Sequence, residues 1–270
     1  MKHLPMTLWL RAAGPAMAVM LDNEAGRYLI APQPGAGAEA GRLDRMQQVD
    51  QVPLGRQIAA GQTLVATLEP GAGSVSLVIG FRRFWNGGEG QQPVDLHPGQ
   101  NVITAERSGP IHVRHEGAPG APEAALTLHC GKPLPLYVDG QTTPLGWAAE
   151  LDAYRGAGIV QLVSARSLIT LPRAVYDSAP MRDPVATFVL LDQIQAWSDD
   201  LAGLDGSTAP ETPSPLRQRY LVDLTTRPGD PFWMYATDGF IGLRPENAAD
   251  LTDPALLAQS WGIWHETGHV

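Results

Sequence analysis

Through residues 26–130 the chain alternates between apolar and polar positions in short runs broken by turn signals. In residues 74–81, Val75, Leu77, Ile79 and Phe81 share one side of a two-residue repeat, as in a strand with one buried face. Residues 62–68 read the same way and stop at the turn Glu69-Pro70-Gly71. Residues 94–96 and 101–104, joined through His97, Pro98, Gly99 and Gln100, are expected to pair as a hairpin. Residues 111–115 and 125–130 add two more strands. Many short strands with frequent turns predict an antiparallel β-sandwich over residues 26–131, after an N-terminal segment 1–25.

From residue 132 the period changes. Residues 133–138 read as a strand or crossover, and 159–163 and 168–171 as strands. Asp183-Pro184 opens a helix whose stripe of Val185, Phe188, Val189, Leu191, Ile194 and Trp197 is expected to be core. Residues 204–217, rich in Gly, Ser, Thr and Pro, are a loop. Residues 220–224 are a strand, and 232–243 one longer strand. Asp253 as N-cap and Pro254 at the first helical position predict a final helix, with Leu256, Leu257, Trp261, Trp264 and Gly268 turned inward. Strands followed by helices make the whole chain α+β.

Composition narrows the partners. The chain has 270 residues, 44% hydrophobic and 17% charged, which suits one large or two modest domains. A net charge of −9 without a Lys/Arg-rich run argues against a nucleic-acid partner. No apolar run is long enough to span a bilayer, so no transmembrane segment is expected. A single cysteine, Cys130, leaves no intrachain disulfide. Lys2 ahead of residues 4–10 looks superficially like a secretory leader, but Arg11 breaks its apolar core. The start is therefore expected to be mature sequence or an arbitrary boundary.

The chemistry concentrates at residues 261–270. His265, Glu266, Thr267, Gly268 and His269 spell H-E-x-x-H. On a helix the two imidazoles leave one face a turn apart and can share a zinc ion at about 2.0–2.1 Å. Glu266 would then take a proton from the water that zinc activates. The bland alternative is a surface helix end with two solvated histidines; the apolar flanks argue against it. A catalytic zinc normally has three protein ligands, and nothing in the sequence follows Val270, so the unit reads as incomplete. The other histidines read as structural or solvated. His112 and His115, three apart on a strand, point to opposite faces; His97 sits by a turn proline; His129 alternates away from Leu126 and Leu128. In the loop of residues 84–90, Trp85 is either a sugar-stacking aromatic or part of a plug at the end of the sandwich.

The motif and its surroundings resemble peptidase family M60, the enhancin and mucin-degrading metallopeptidases. The family pattern H-E-x-G-H is met by His265, Glu266, Gly268 and His269. Weaker pieces follow the family order: residues 54–63, 74–81 and 98–103, then 144–151 with Pro144, Trp147, Glu150 and Leu151, then Leu171-Pro172, Asp183-Pro184 and residues 234–241. The resemblance implies an N-terminal antiparallel β-sandwich followed by an incomplete zincin-like catalytic unit, residues 132–270, ending in the H-E-x-x-H helix. It implies a gluzincin: Zn2+ on His265 and His269, Glu266 as base, and a downstream glutamate ligand absent from these residues. It also implies a mucin-type glycoprotein substrate and a secreted or cell-surface protein. Substrate contacts are expected at Trp85, Tyr235 and Gly239. The competing reading is a non-catalytic glycan- or protein-binding sandwich with a relic zinc motif.

Overall fold

A computed structural model describes residues 18–22, 26–82, 84–87, 90–118, 120–129 and 131–270. The leader-like start, Cys130, and Gly88 and Glu89 of the Trp85 loop lie outside the described residues.

The first half contains β1 (Ala18–Asp22), β2 (Arg27–Ile30), α1 (Ala36–Leu43), β3 (Val52–Ile58), β4 (Thr63–Leu68), β5 (Ser74–Ile79), β6 (Gln92–Asp95), β7 (Gly99–Thr104), β8 (Gly109–Glu116), β9 (Ala124–His129) and β10 (Lys132–Pro133). Two five-stranded antiparallel sheets result, ordered β1-β2-β9-β4-β7 and β10-β3-β8-β5-β6. Alternation places Leu64, Ala66 and Leu68 from one sheet and Val75, Leu77 and Ile79 from the other in one shared core. This is the expected antiparallel sandwich, but its sheets also take in β1 and β10, which lie outside the expected residues 26–131.

Two features depart from the reading of the sequence. The expected hairpin across residues 94–104 does not form, because β6 pairs with β5 and β7 with β4, in opposite sheets. The turn chemistry is present all the same: Asn101 accepts from His97 N at 3.0 Å and donates to His97 O at 2.8 Å. Local turn residues cannot distinguish a hairpin within a sheet from an arch between sheets. The second departure is α1, a helix inside a stretch read as strands only. It is held by its end, where Ala36 N donates to the buried Asp50 carboxylate at 3.0 Å.

The second half contains β11 (Leu136–Val138), α2 (Pro144–Ala153), β12 (Ile159–Val163), β13 (Ser167–Pro172), α3 (Arg173–Ser178), α4 (Pro184–Leu201), β14 (Gln218–Val222), β15 (Met234–Thr237), β16 (Phe240–Leu243), α5 (Ala248–Thr252), α6 (Pro254–Leu257) and α7 (Trp261–His269). Its mixed six-stranded sheet runs β11-β12-β13-β14-β16-β15. Residues 232–243, expected as one strand, are a hairpin: Thr237 pairs with Phe240 around Asp238-Gly239, and Gly239 takes the φ of +83° that the reversal needs. The stripe on α4 is also narrower than expected. Phe188, Leu191 and Ile194 are buried, but Val185, Val189 and Trp197 are 56%, 66% and 43% exposed. These three follow a four-residue spacing on the side turned away from the sheet, and the buried polar side chains Thr187, Gln195 and Asp199 widen the inner face instead.

The sandwich and the mixed sheet meet along residues 47–51. Val49 N donates to Arg217 O at 2.9 Å, Gly239 N to Gln47 O at 2.6 Å, and Arg219 Nη2 to Gln51 Oε1 at 2.8 Å. Gln161 of β12 donates to His112 Nε2 of β8 at 2.9 Å. Burial, then the nearby Arg219 cation, holds His112 well below the usual histidine range, so the ring is neutral and accepts this bond. His112 and His115 are thus structural: both are buried, and His115 Nδ1 meets Ile30 O at 3.0 Å. His97 and His129 are exposed, as expected.

One carboxylate in this half is set against its surroundings. Burial pushes Asp192 on α4 up to about 6, with Arg166 pulling the other way and Asp139 adding to the rise. A raised acid stabilises the fold below the ordinary carboxylate range near 4, and that contribution is lost as the pH climbs to about 6. Asp192→Asn is therefore expected to match the wild type at pH 4 and to be more stable at pH 7.5, by about 1 kcal/mol after allowance for partial solvent contact. Urea unfolding at the two pH values checks this; equal stability at pH 7.5 would contradict it.

Candidate active site

Helix α7 carries the H-E-x-x-H residues but is not the helix that Asp253-Pro254 opens. Asp253 caps α6, one turn long, through Ala255 N at 2.8 Å; α7 begins afresh after Ser260. The inward face also differs from expectation. Ile263 and Thr267 are fully buried, whereas Trp261 is 73% exposed and Leu256 44%. Trp264 is half-buried: its indole donates to Leu257 O at 3.0 Å, and its ring tilts against Trp197 of α4 at 5.2 Å.

The face opposite Thr267 carries the chemistry. His265 and His269 are exposed and Glu266 is half-buried. The two imidazoles lie edge to face, 4.6 Å between centroids, with their Nε2 atoms 3.1 Å apart. Two nitrogens each about 2.05 Å from a tetrahedral zinc would stand about 3.3 Å apart, so the pair fits a shared metal with little adjustment. Trp261 packs against His265 at 5.7 Å, a contact the motif alone does not announce. Among the described residues no set of three His, Cys, Asp or Glu side chains is grouped to hold a metal. Among the described residues, His265 and His269 therefore stand as a pair.

Polar groups of β14 hold the buried side of the turn. Tyr220 Oη stands 3.0 Å from Thr267 Oγ1 and donates to Gln218 Oε1 at 3.1 Å. Gln218 Nε2 donates to Thr267 O at 3.0 Å and Val270 O at 3.3 Å. Burial raises the Tyr220 phenol well above its ordinary value, so it stays a neutral donor. Reading the sequence did not single out these residues; the only signal was a Gln and a Tyr at alternate positions of a buried strand.

The residues expected to touch substrate lie on the Trp85 loop and on the β15–β16 hairpin. Trp85 is 54% exposed, while its neighbour Phe84 is buried at 7%, so the loop is half plug and half presented aromatic. Trp85 rests on Phe232 at 4.6 Å and on Tyr235 at 5.5 Å. Asp223, also missed from the sequence, fixes this group: its fully buried carboxylate accepts from Trp85 N at 3.1 Å and Tyr235 Oη at 2.7 Å. Burial, then the bond to Asp223, raises the Tyr235 phenol. Tyr235 is 8% exposed and lies over Gly242, so it supports Trp85 from below. Gly239 sits beneath the Arg82 guanidinium, where a Cβ would fall 2.6 Å from it. The structure thus brings Trp85 and Tyr235 together and puts Gly239 in the hairpin turn, covered by Arg82.

The described fold, sandwich plus mixed sheet, is that of metallopeptidase catalytic domains. A conserved protein of unknown function from Bacillus anthracis str. Ames superposes with a TM-score of 0.80 at 23% identity, over 90% of this chain and 50% of its own. The ZmpB metallopeptidase from Clostridium perfringens gives 0.78 at 19%, over 90% and 53%. The M60 catalytic domain of Clostridium perfringens ZmpC, solved with the sialyl T antigen, gives 0.77 at 20%, over 90% and 52%. At these identities the likeness is one of fold, and the chain spans about half the length of these structures. The comparison with curated protein sequences returned no significant match. The model of peptidase M60, enhancin and enhancin-like, matches residues 131–270, and the chain belongs to this family. Membership implies a metal cofactor, for which the imidazole pair is suited.

The seat of α7 generates a test. At Gly262 an added Cβ would lie 2.8 Å from Trp233 Nε1 and 2.9 Å from Met234 Sδ, and Met234 is buried at 4%. Gly262→Ala should cost about 1–3 kcal/mol in urea unfolding, as overpacking does. No loss of stability would show that α7 does not rest on β15 as described.

Proposed function

We propose that this chain belongs to a zinc endopeptidase that cleaves mucin-type glycoproteins outside the cell. The observation that carries the proposal is the convergence of His265 and His269 Nε2 at 3.1 Å on an exposed helix face, in a chain of a peptidase family. His265 and His269 would hold the metal, each through a neutral imidazole nitrogen. Zinc, when bound, supplies Lewis-acid polarisation of the scissile carbonyl and lowers the pKa of a water to about 7. Glu266, next to the first ligand and partly open to solvent, takes the proton from the attacking water. The neighbour ZmpC binds the sialyl T antigen, which supports a glycan-bearing substrate. Trp85, held from behind by Asp223, Phe232 and Tyr235, offers an aromatic surface of the kind that sugars stack on. Secretion or surface display would bring the enzyme to such substrates.

In a form of the protein that cleaves mucin, Glu266→Gln should lower that cleavage at least about 100-fold while metal content is kept. Undiminished cleavage would refute the assignment of the base.

A second reading is favoured by one observation: among the described residues the pair has no third ligand. In it the chain is a glycan-binding module with a relic metal motif. It predicts glycan binding to the 270-residue chain that Trp85→Ala weakens about tenfold, in line with the loss of one stacked aromatic, and that chelators leave unchanged. A glycan array without binding would remove it.

A further inference from the structure

His265 and His269 converge only while the backbone between them stays helical. At 100° per residue, Thr267 lies about 180° around the axis from the midpoint of the two histidines. The turn therefore has one wet side, which carries the imidazoles, and one buried side centred on Thr267. Apolar contacts of Ile263 and Val270 press this side onto the sheet, but they are non-directional. The directional contacts are polar and come from a single strand. Gln218 and Tyr220, two apart on β14, face α7 together.

The direction of each bond is fixed by chemistry. Gln218 Oε1 can only accept, so Tyr220 spends its one proton there. Thr267 Oγ1 must then donate to Tyr220 Oη. Gln218 Nε2, held in the opposite sense, donates to the Thr267 carbonyl. Thr267 is thereby gripped through its side chain and its backbone at once, with both bonds buried.

We propose that Gln218, Tyr220 and Thr267 are positioning residues for the metal pair: their buried hydrogen-bond chain holds the helical turn between His265 and His269 and so sets the convergence of the imidazoles. None of the three touches the reacting atoms. The inference rests on the metal reading of the pair and adds to it the elements that hold the ligands in place.

The test uses the 270-residue chain with Tyr220→Phe, Thr267→Val and Thr267→Ser, each confirmed as folded by circular dichroism. Two readouts are taken: NOEs between the His265 and His269 rings without metal, and Co2+ titration followed by visible absorption. Tyr220→Phe and Thr267→Val should lose the inter-ring NOEs and bind Co2+ about tenfold more weakly, the effect typical of groups that orient metal ligands. Thr267→Ser should restore both. NOEs that persist in Tyr220→Phe and Thr267→Val overturn the proposal, whatever happens to the affinity or the unfolding midpoint. A wild-type chain that binds no Co2+ counts against the metal reading alone, because the NOE measurement needs no metal.

Discussion

The convergence of His265 and His269 depends on one turn of helix. Side chains four residues apart share a point in space only if the backbone between them is regular, and His265 and His269 have their Nε2 atoms 3.1 Å apart because it is. The turn owes its regularity to what lies behind it. Ile263 and Thr267 are sealed against the mixed sheet, and β14 supplies the polar groups that fix Thr267. A helix can expose imidazoles to solvent on one side because its other side is dry and fully bonded.

That sheet is in turn locked to the sandwich. Residues 47–51 run between the two and hydrogen bond to the start of β14, at Arg217 and Arg219, and to the hairpin turn at Gly239. Asp223 performs the same task farther along, joining the Trp85 loop of the sandwich to Tyr235 of β15. The strand that packs against α7 is thus also the strand behind the exposed aromatic surface. Sandwich and mixed sheet are thus tied together at residues 47–51 and again at Asp223.

Much of this was legible in the sequence, for identifiable reasons. Alternation over residues 74–81 marked a strand because one face of the sandwich is dry, and H-E-x-x-H marked a helix face because two residues four apart share one side of a helix. What failed was information that tertiary structure supplies. The arch at residues 96–98 carries the turn residues of a hairpin and differs only in which sheet receives the next strand. Val185, Val189 and Trp197 carry the spacing of a core stripe, yet α4 leaves them partly open to solvent. Asp238-Gly239 is a hairpin signal that was readable and was passed over within a longer run of β-forming residues. Gln218, Tyr220 and Asp223 bear no local mark of their role, because each acts on a residue more than ten positions away.

Whether the imidazole pair holds a metal can be read by X-ray absorption spectroscopy of the zinc-loaded protein. Two imidazole nitrogens at about 2.0–2.1 Å are expected in the first shell, both lost when His265 and His269 are replaced by alanine. A shell without imidazole scattering, or one unchanged by those replacements, would contradict metal binding by the pair.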